Sequence, residues 1–287
     1  MTAPNYIEKS HAQYLKDLER SNNRVYNYLL LEIAKFSESG TLQIKESELA
    51  QLDSKIKDAV KNSGYSEYTT NYLKTLDEVE NIKSKEYAKD KISISDAIKD
   101  NEYIKEIKKQ LIEHLRGSKL NEAVLKPLEN IIRQNVLLNN TFENVANILK
   151  SKIIEKPIIN NHVDTIAYDT LHQYNGVINE QVRKKNNLRY FYYIGSEIET
   201  TRPFCDHMKD NFKGAISVDE LEKVLNEFCP NGTPSETKIT YETVNGVVRT
   251  LKKGSGMIEG TTLENFTINR GGHRCNHEVK WTRYPKK

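Results

Sequence analysis

The chain has 287 residues and carries 43 Lys and Arg against 40 Asp and Glu, with only 37% of its residues hydrophobic. That length suits one large domain or two ordinary ones, and that composition places much of the chain in solvated surface. A net charge of +3 excludes a wholesale basic coat for nucleic acid, and the lack of any run of about 18 apolar residues excludes a membrane-spanning helix.

The opening residues lack the charged-then-apolar layout of a signal peptide. The three cysteines all fall in the last third, which argues for a local site or simple packing rather than a disulfide scaffold, and the expected compartment is a reducing cytoplasm. Glycine divides the chain: four lie in residues 1–187 and nine in 188–287. Glycine is costly inside helices and useful in turns, so the first part should be helical and the second strand and turn. The expected fold is mainly α, with an extended helical region over 1–162 and a small α+β module with an antiparallel sheet over 163–287.

In chain order, Ile7, Tyr14, Leu18, Val25, Leu29, Ile33 and Phe36 draw one stripe along a long first helix, ended near Gly40. Further helices are expected at about 45–62, 66–86, 98–115, 119–137 and 141–153. Pro127 should break or kink one of them near Lys126. The polar stretch 83–93 holds too little apolar surface for a core and reads as exposed helix or mobile connection. A last long helix over 163–186 buries Ile166, Leu171, Tyr174, Ile178 and Val182.

Beyond it, Arg189 to Gly195 is rich in aromatics and reads as a strand near 188–195. Strands near 239–244 and 247–252 meet across Asn245-Gly246, the favoured pair for a type I′ turn. A short amphipathic helix is expected at about 217–228, and a final strand near 277–283 holds Trp281, the single tryptophan.

Chemistry concentrates in two short clusters, Arg202 to His207 and Gly271 to His277. Zinc prefers thiolate sulfur and imidazole nitrogen in a tetrahedral set, often supplied as two close pairs. Cys205 with His207, joined to Cys275 with His277 or His273, would supply four ligands for a structural zinc, and Cys229 is a spare soft ligand. Residues two apart share a face if the first segment is a strand. The competing reading is packing, since free cysteine is often merely buried. Gly271-Gly272 reads as a turn before a strand, or as a place where the backbone approaches a partner closely. Basic clusters at Arg183-Lys184-Lys185, Lys252-Lys253 and from Arg283 to Lys287, with Tyr190, Tyr192 and Tyr193, would make a DNA-facing surface if they shared a side.

The second half resembles the Mu F-like minor head protein family of tailed bacteriophages. In that family a helix leads into an aromatic strand, a D/E-x-R-x-C/H type segment, a glycine step, and a closing Cys-rich or Cys/His-rich strand. Here Thr201-Arg202-Pro203-Phe204-Cys205 matches the first signature, Gly214 stands at the glycine step, and His273-Arg274-Cys275-Asn276-His277 matches the second. The likeness covers roughly residues 165–284; the closing motif is HRCNH where the family has CRC, and a hairpin insertion at 236–253 lengthens the spacing.

The resemblance implies a virion protein rather than an enzyme, present in few copies on the inner side of the capsid at the portal vertex, and in the host cytoplasm during assembly. Its implied partners are the portal protein and the major capsid protein, with packaged DNA as a further contact and no membrane. The helix stripes at 6–36 and 163–186 are expected to pack on those neighbours. The rival reading is a metal-binding DNA-processing or toxin-like enzyme, in which Asp206 or Glu278 would serve as general base beside a zinc ion. A third is a helical adaptor of the host cell.

Overall fold

A computed structural model describes residues 2–38, 41–42, 48, 51–94, 98, 101–138, 140–195, 202–242, 248–273 and 275–283. The protein is mainly α, a long run of helices followed by a small α+β region with an antiparallel sheet. Gly40, Thr201, the Asn245-Gly246 turn, Arg274 and residues 284–287 lie outside the described residues.

Helix α1 (Ala3–Ala34) is about 48 Å long. A short pairing of β1 (Ser37–Glu38) with β2 (Thr41–Leu42) follows it. Then come α2 (Leu52–Asn62), α3 (Tyr65–Leu73), α4 (Thr75–Ala88) and α5 (Glu102–Arg116). Next, α6 (Ser118–Leu120) passes through a π-helical turn, Asn121–Leu125, into α7 (Lys126–Leu137). Pro127 therefore does not break the helix. It has no N–H for the Ala123 carbonyl, and the widened turn just ahead takes up the mismatch. Helix α8 (Phe142–Lys150) starts on Thr141, whose side chain accepts from the Asn144 amide, as its N-cap. A second π-helical turn, Ser151–Glu155, precedes α9 (Ile158–Asn186).

The chain divides into two compact units, each assembled from separated stretches: Met1–Tyr6, Glu78–Ile107 and Asp169–Lys287 in one, Ile7–Asp77 and Lys108–Tyr168 in the other. Both draw residues from either side of position 162.

The unit that holds most of α1 is an aliphatic and tyrosine seam. Ile7, Leu18, Val25 and Leu29 are fully buried, and Tyr14 and Ile33 are 2% exposed. The Tyr14 ring stacks on Tyr72 with centroids 4.3 Å apart, and its hydroxyl is 2.7 Å from Thr69 Oγ1. His11, one turn earlier, places Nδ1 3.0 Å from the Tyr72 hydroxyl and Nε2 3.0 Å from Asp164 Oδ1. This corrects the expectation that the stripe waits for another subunit: the chain covers it with its own residues. The stripe of α9 is likewise internal, with Leu171, Tyr174, Ile178 and Val182 fully buried, although Ile166, expected on the same side, is only half-buried. Among the described residues the exposed large apolar side chains are instead Leu31, Tyr103, Ile112, Leu138 and Ile194.

In the other unit, β3 (Tyr190–Ile194) is the centre of a three-stranded antiparallel sheet between β4 (Ile216–Ser217) and β7 (Glu278–Thr282). Helices α10 (Pro203–Asn211) and α11 (Val218–Phe228) come after β3 in sequence, on either side of β4. The hairpin of β5 (Glu236–Glu242) and β6 (Val248–Gly254) forms its own two-stranded sheet, and α12 (Phe266–Asn269) is a single turn. Phe191 sits opposite Trp281 and Tyr193 opposite Val279. All four are buried, and Phe204 and Phe266 complete the aromatic core. Tyr193 therefore points inward and is not part of a DNA-facing surface.

The other face of β7 is buried too, against the polar stretch expected to be exposed. Lys83 is fully buried, as are Tyr87, Ile92 and Ile94 to within 3%. Lys83 Nζ donates to Glu278 Oε1 at close range and to Glu86 Oε2 at 2.8 Å. Asn179 Nδ2 donates to the same Glu278 oxygen at 3.0 Å, and the Tyr87 hydroxyl donates to Asn179 Oδ1 at 3.0 Å. A polar stretch is buried here because its charges find partners, which a count of apolar residues does not detect.

Candidate metal centre

Three ligand atoms meet in the second unit. Cys205 Sγ and Cys275 Sγ are 4.0 Å apart, and His277 Nδ1 is 3.6 Å from Cys275 Sγ. The ligand atoms of these three residues all lie within 4.8 Å of one another, and no other group of three or more His, Cys, Asp or Glu does so among the described residues. Each of the three residues is 3–4% exposed. Tyr193 covers the group: its hydroxyl is 3.3 Å from Cys205 Sγ and 3.7 Å from Cys275 Sγ, and its ring lies parallel to the His277 imidazole.

Local structure brings each group there. Pro203 starts α10, where its missing N–H and fixed φ cost nothing, and Cys205 falls on the helix's buried side between Phe204 and Met208. Cys275 and His277 follow the turn at Gly271-Gly272, and His277 leads directly into β7. That turn depends on both glycines. A Cβ on Gly271 would run into the Cys205 sulfur and stand 3.0 Å from the Tyr193 hydroxyl and 3.1 Å from Cys275 Sγ. Gly272 has φ +103°, and a Cβ there would strike the Gly256 carbonyl. Of the two readings of Gly-Gly, the turn before a strand is the one seen, with the backbone packed closely on the chain's own sulfurs.

Two arginines tie the loop down. Arg202 of the first signature donates to the Gly271 carbonyl at 2.8 Å and to the His273 carbonyl. Arg270, buried and at φ +49°, donates to the carbonyls of Cys275 at 2.8 Å and His277 at 3.3 Å. The two thiols share their acidity unequally. The hydrogen bond with Cys205 holds the Cys275 thiol well below its usual range, helped by His277 and Arg270 against the burial. Cys205 is driven far up by that same bond and by burial. Burial, with the two thiols beside it, keeps the Tyr193 phenol protonated.

Four residues stand apart from this centre. His207 lies on α10, not on a strand, and residues two apart on a helix face about 200° away from each other. Its ring packs on Phe228 and Phe212 instead. His273 is largely exposed, with Nδ1 3.4 Å from Asp169 Oδ2. Cys229 is buried near the Ile258 carbonyl, and burial raises its thiol. Glu278, a candidate base in the hydrolytic reading, is engaged by Lys83 and Asn179.

The sequence reading gave Tyr193 to a DNA-facing surface and missed its place over the thiols, although alternation along β3, where Phe191 and Tyr193 share a face, was the available signal. A cleft of about 560 Å³ runs past Tyr193 and Gly195 to Lys209, Asp210 and Lys213, but neither cysteine nor His277 lines it. A buried thiolate–imidazole set can hold a soft cation or pack; attack on a substrate requires access as well. No protein-family model matches this chain, and no curated protein or solved structure matches it either.

Proposed function

We propose that this protein is a minor head protein of a tailed bacteriophage, Mu F-like in its C-terminal module, acting by binding rather than turnover. The observation that carries this reading is the meeting of the two signatures on which the resemblance rests. Cys205 of the first and Cys275 of the second are 70 residues apart in sequence and 4.0 Å apart in space. Arg202 of the first also hydrogen-bonds the loop that opens the second. Signatures that served unrelated purposes would have no reason to share one buried point. The burial of the centre, away from the cleft, suits a rigid docking module better than a reactive site.

In this reading the protein is present in few copies at the portal vertex, inside the capsid, and assembles in the host cytoplasm with the portal and major capsid proteins. Packaged DNA is a further contact. Since both helix stripes are internal, docking would use outward residues such as Leu31, Ile112 and Leu138. The test is the protein composition of purified procapsids and mature particles, with the amount of this chain measured against the major shell subunit. A small, reproducible stoichiometry is expected. Absence from both particle types would sink the reading.

A further inference from the structure

We infer that Cys205, Cys275 and His277 bind one zinc ion, and that this ion locks α10 to the loop entering β7. Zinc bonds to thiolate sulfur at about 2.3 Å and to imidazole nitrogen at about 2.0–2.1 Å. At tetrahedral angles those lengths place two sulfurs about 3.8 Å apart, and a sulfur and a nitrogen about 3.5 Å apart. The corresponding separations here are 4.0 Å and 3.6 Å. Both separations are within a few tenths of an ångström of what one tetrahedral ion would set.

One further observation points to a ligand. The His277 imidazole is 3% exposed, and among the described residues its polar neighbour is the sulfur of Cys275 while Nε2 has no hydrogen-bond partner. A buried imidazole with so little compensation is costly, and a cation on Nδ1 would replace a weak contact to sulfur with a strong bond. Two thiolates balance the charge of a divalent ion, so binding is accompanied by loss of the thiol protons.

Tyr193 does not complete the shell. Its ring is parallel to His277, within 8°, so its hydroxyl stands out of the plane in which the Nδ1 lone pair points. His207 plays no part. The inference is independent of the virion reading, since particle composition does not report on metal content.

The test uses the full chain. Metal analysis of protein made in zinc-supplemented medium should give about one zinc per chain. Stripping it with a chelator should lower Tm by roughly 10 °C or more. Cobalt(II) added to the stripped protein should give the visible bands of a tetrahedral site and a thiolate-to-cobalt charge-transfer band. Cys275→Ser and His277→Ala should abolish that spectrum, whereas His207→Ala and His273→Ala should leave it intact. The wild-type cobalt spectrum stands as evidence even where a cysteine variant does not fold. Less than roughly 0.1 metal per chain together with no charge-transfer band would overturn the inference. So would a metal-free wild type in which Cys205 and Cys275 are joined as a disulfide, or a His207→Ala variant that loses the metal.

Discussion

The seam along α1 and the centre around Cys275 solve the burial problem in opposite ways. Along α1, many interchangeable aliphatic contacts each contribute a modest amount, and polar groups such as Ser21 and Ser63, 2.5 Å apart, satisfy one another at the margin. Around β7, few contacts are interchangeable. Lys83, Glu278, Asn179 and Tyr87 form one chain of hydrogen bonds, and the thiol centre beyond it leaves no room even for a methyl group. An apolar seam degrades gradually under substitution, whereas a desolvated polar network fails at single atoms.

The largest loss of stability is expected at Lys83. Lys83→Met strands the Glu278 carboxylate and should cost about 3–5 kcal/mol in chemical unfolding, while Lys83→Met with Glu278→Met should recover most of the loss. A double variant as unstable as the single one would show that the pair is not the unit that matters. The pH dependence has a definite sign. Burial lowers the Lys83 ammonium to about 8 from an unfolded value near 10.5, against the pull of Glu86. Between those values the unfolded chain binds more protons than the folded one, so stability from this group rises with pH. Wild type should therefore gain on the double variant as the pH is raised from about 8 towards 10.5, and a decline over that window would contradict the assignment.

The seam should respond by degree. Leu29→Ala removes a fully buried side chain and should cost about 2–5 kcal/mol, whereas Leu31→Ala, two residues on and 68% exposed, should change stability by less than about 0.5 kcal/mol. Equal effects at the two positions would mean that the α1 stripe is not covered by this chain. The smallest effect sharpens the contrast inside the α+β module. Gly271→Ala should cost about 1–3 kcal/mol by overpacking the thiol centre. Gly214→Ala, where an added Cβ meets nothing within 4 Å, should be neutral or stabilise by up to about 1 kcal/mol. Thermal or urea melts of the two variants side by side decide it.

Legibility in the sequence followed the range of the interaction. Spacing along α1, the cap at Thr141 and the aromatic strand at 190–194 depend on neighbours within a few residues, and each was readable. The site was readable in part. Cys205, Cys275 and His277 stood out by residue type, but His207 stood out equally, and only the helical geometry of α10 turns it away. Lys83 gave no signal at all, because a lysine in a polar stretch looks the same whether or not a carboxylate from the far end of the chain is waiting for it.

By itself the amino-acid sequence determined the helical majority, the small antiparallel sheet and the residue types from which a soft-metal centre is built, since propensity, periodicity and ligand chemistry are local properties. Only the tertiary structure decided which thiols and which imidazole meet, that both long stripes are closed within the chain, and that β7 is buried on two faces. Those outcomes turn on contacts between residues 55 to 195 positions apart, and no local pattern encodes which distant partner fills a given space.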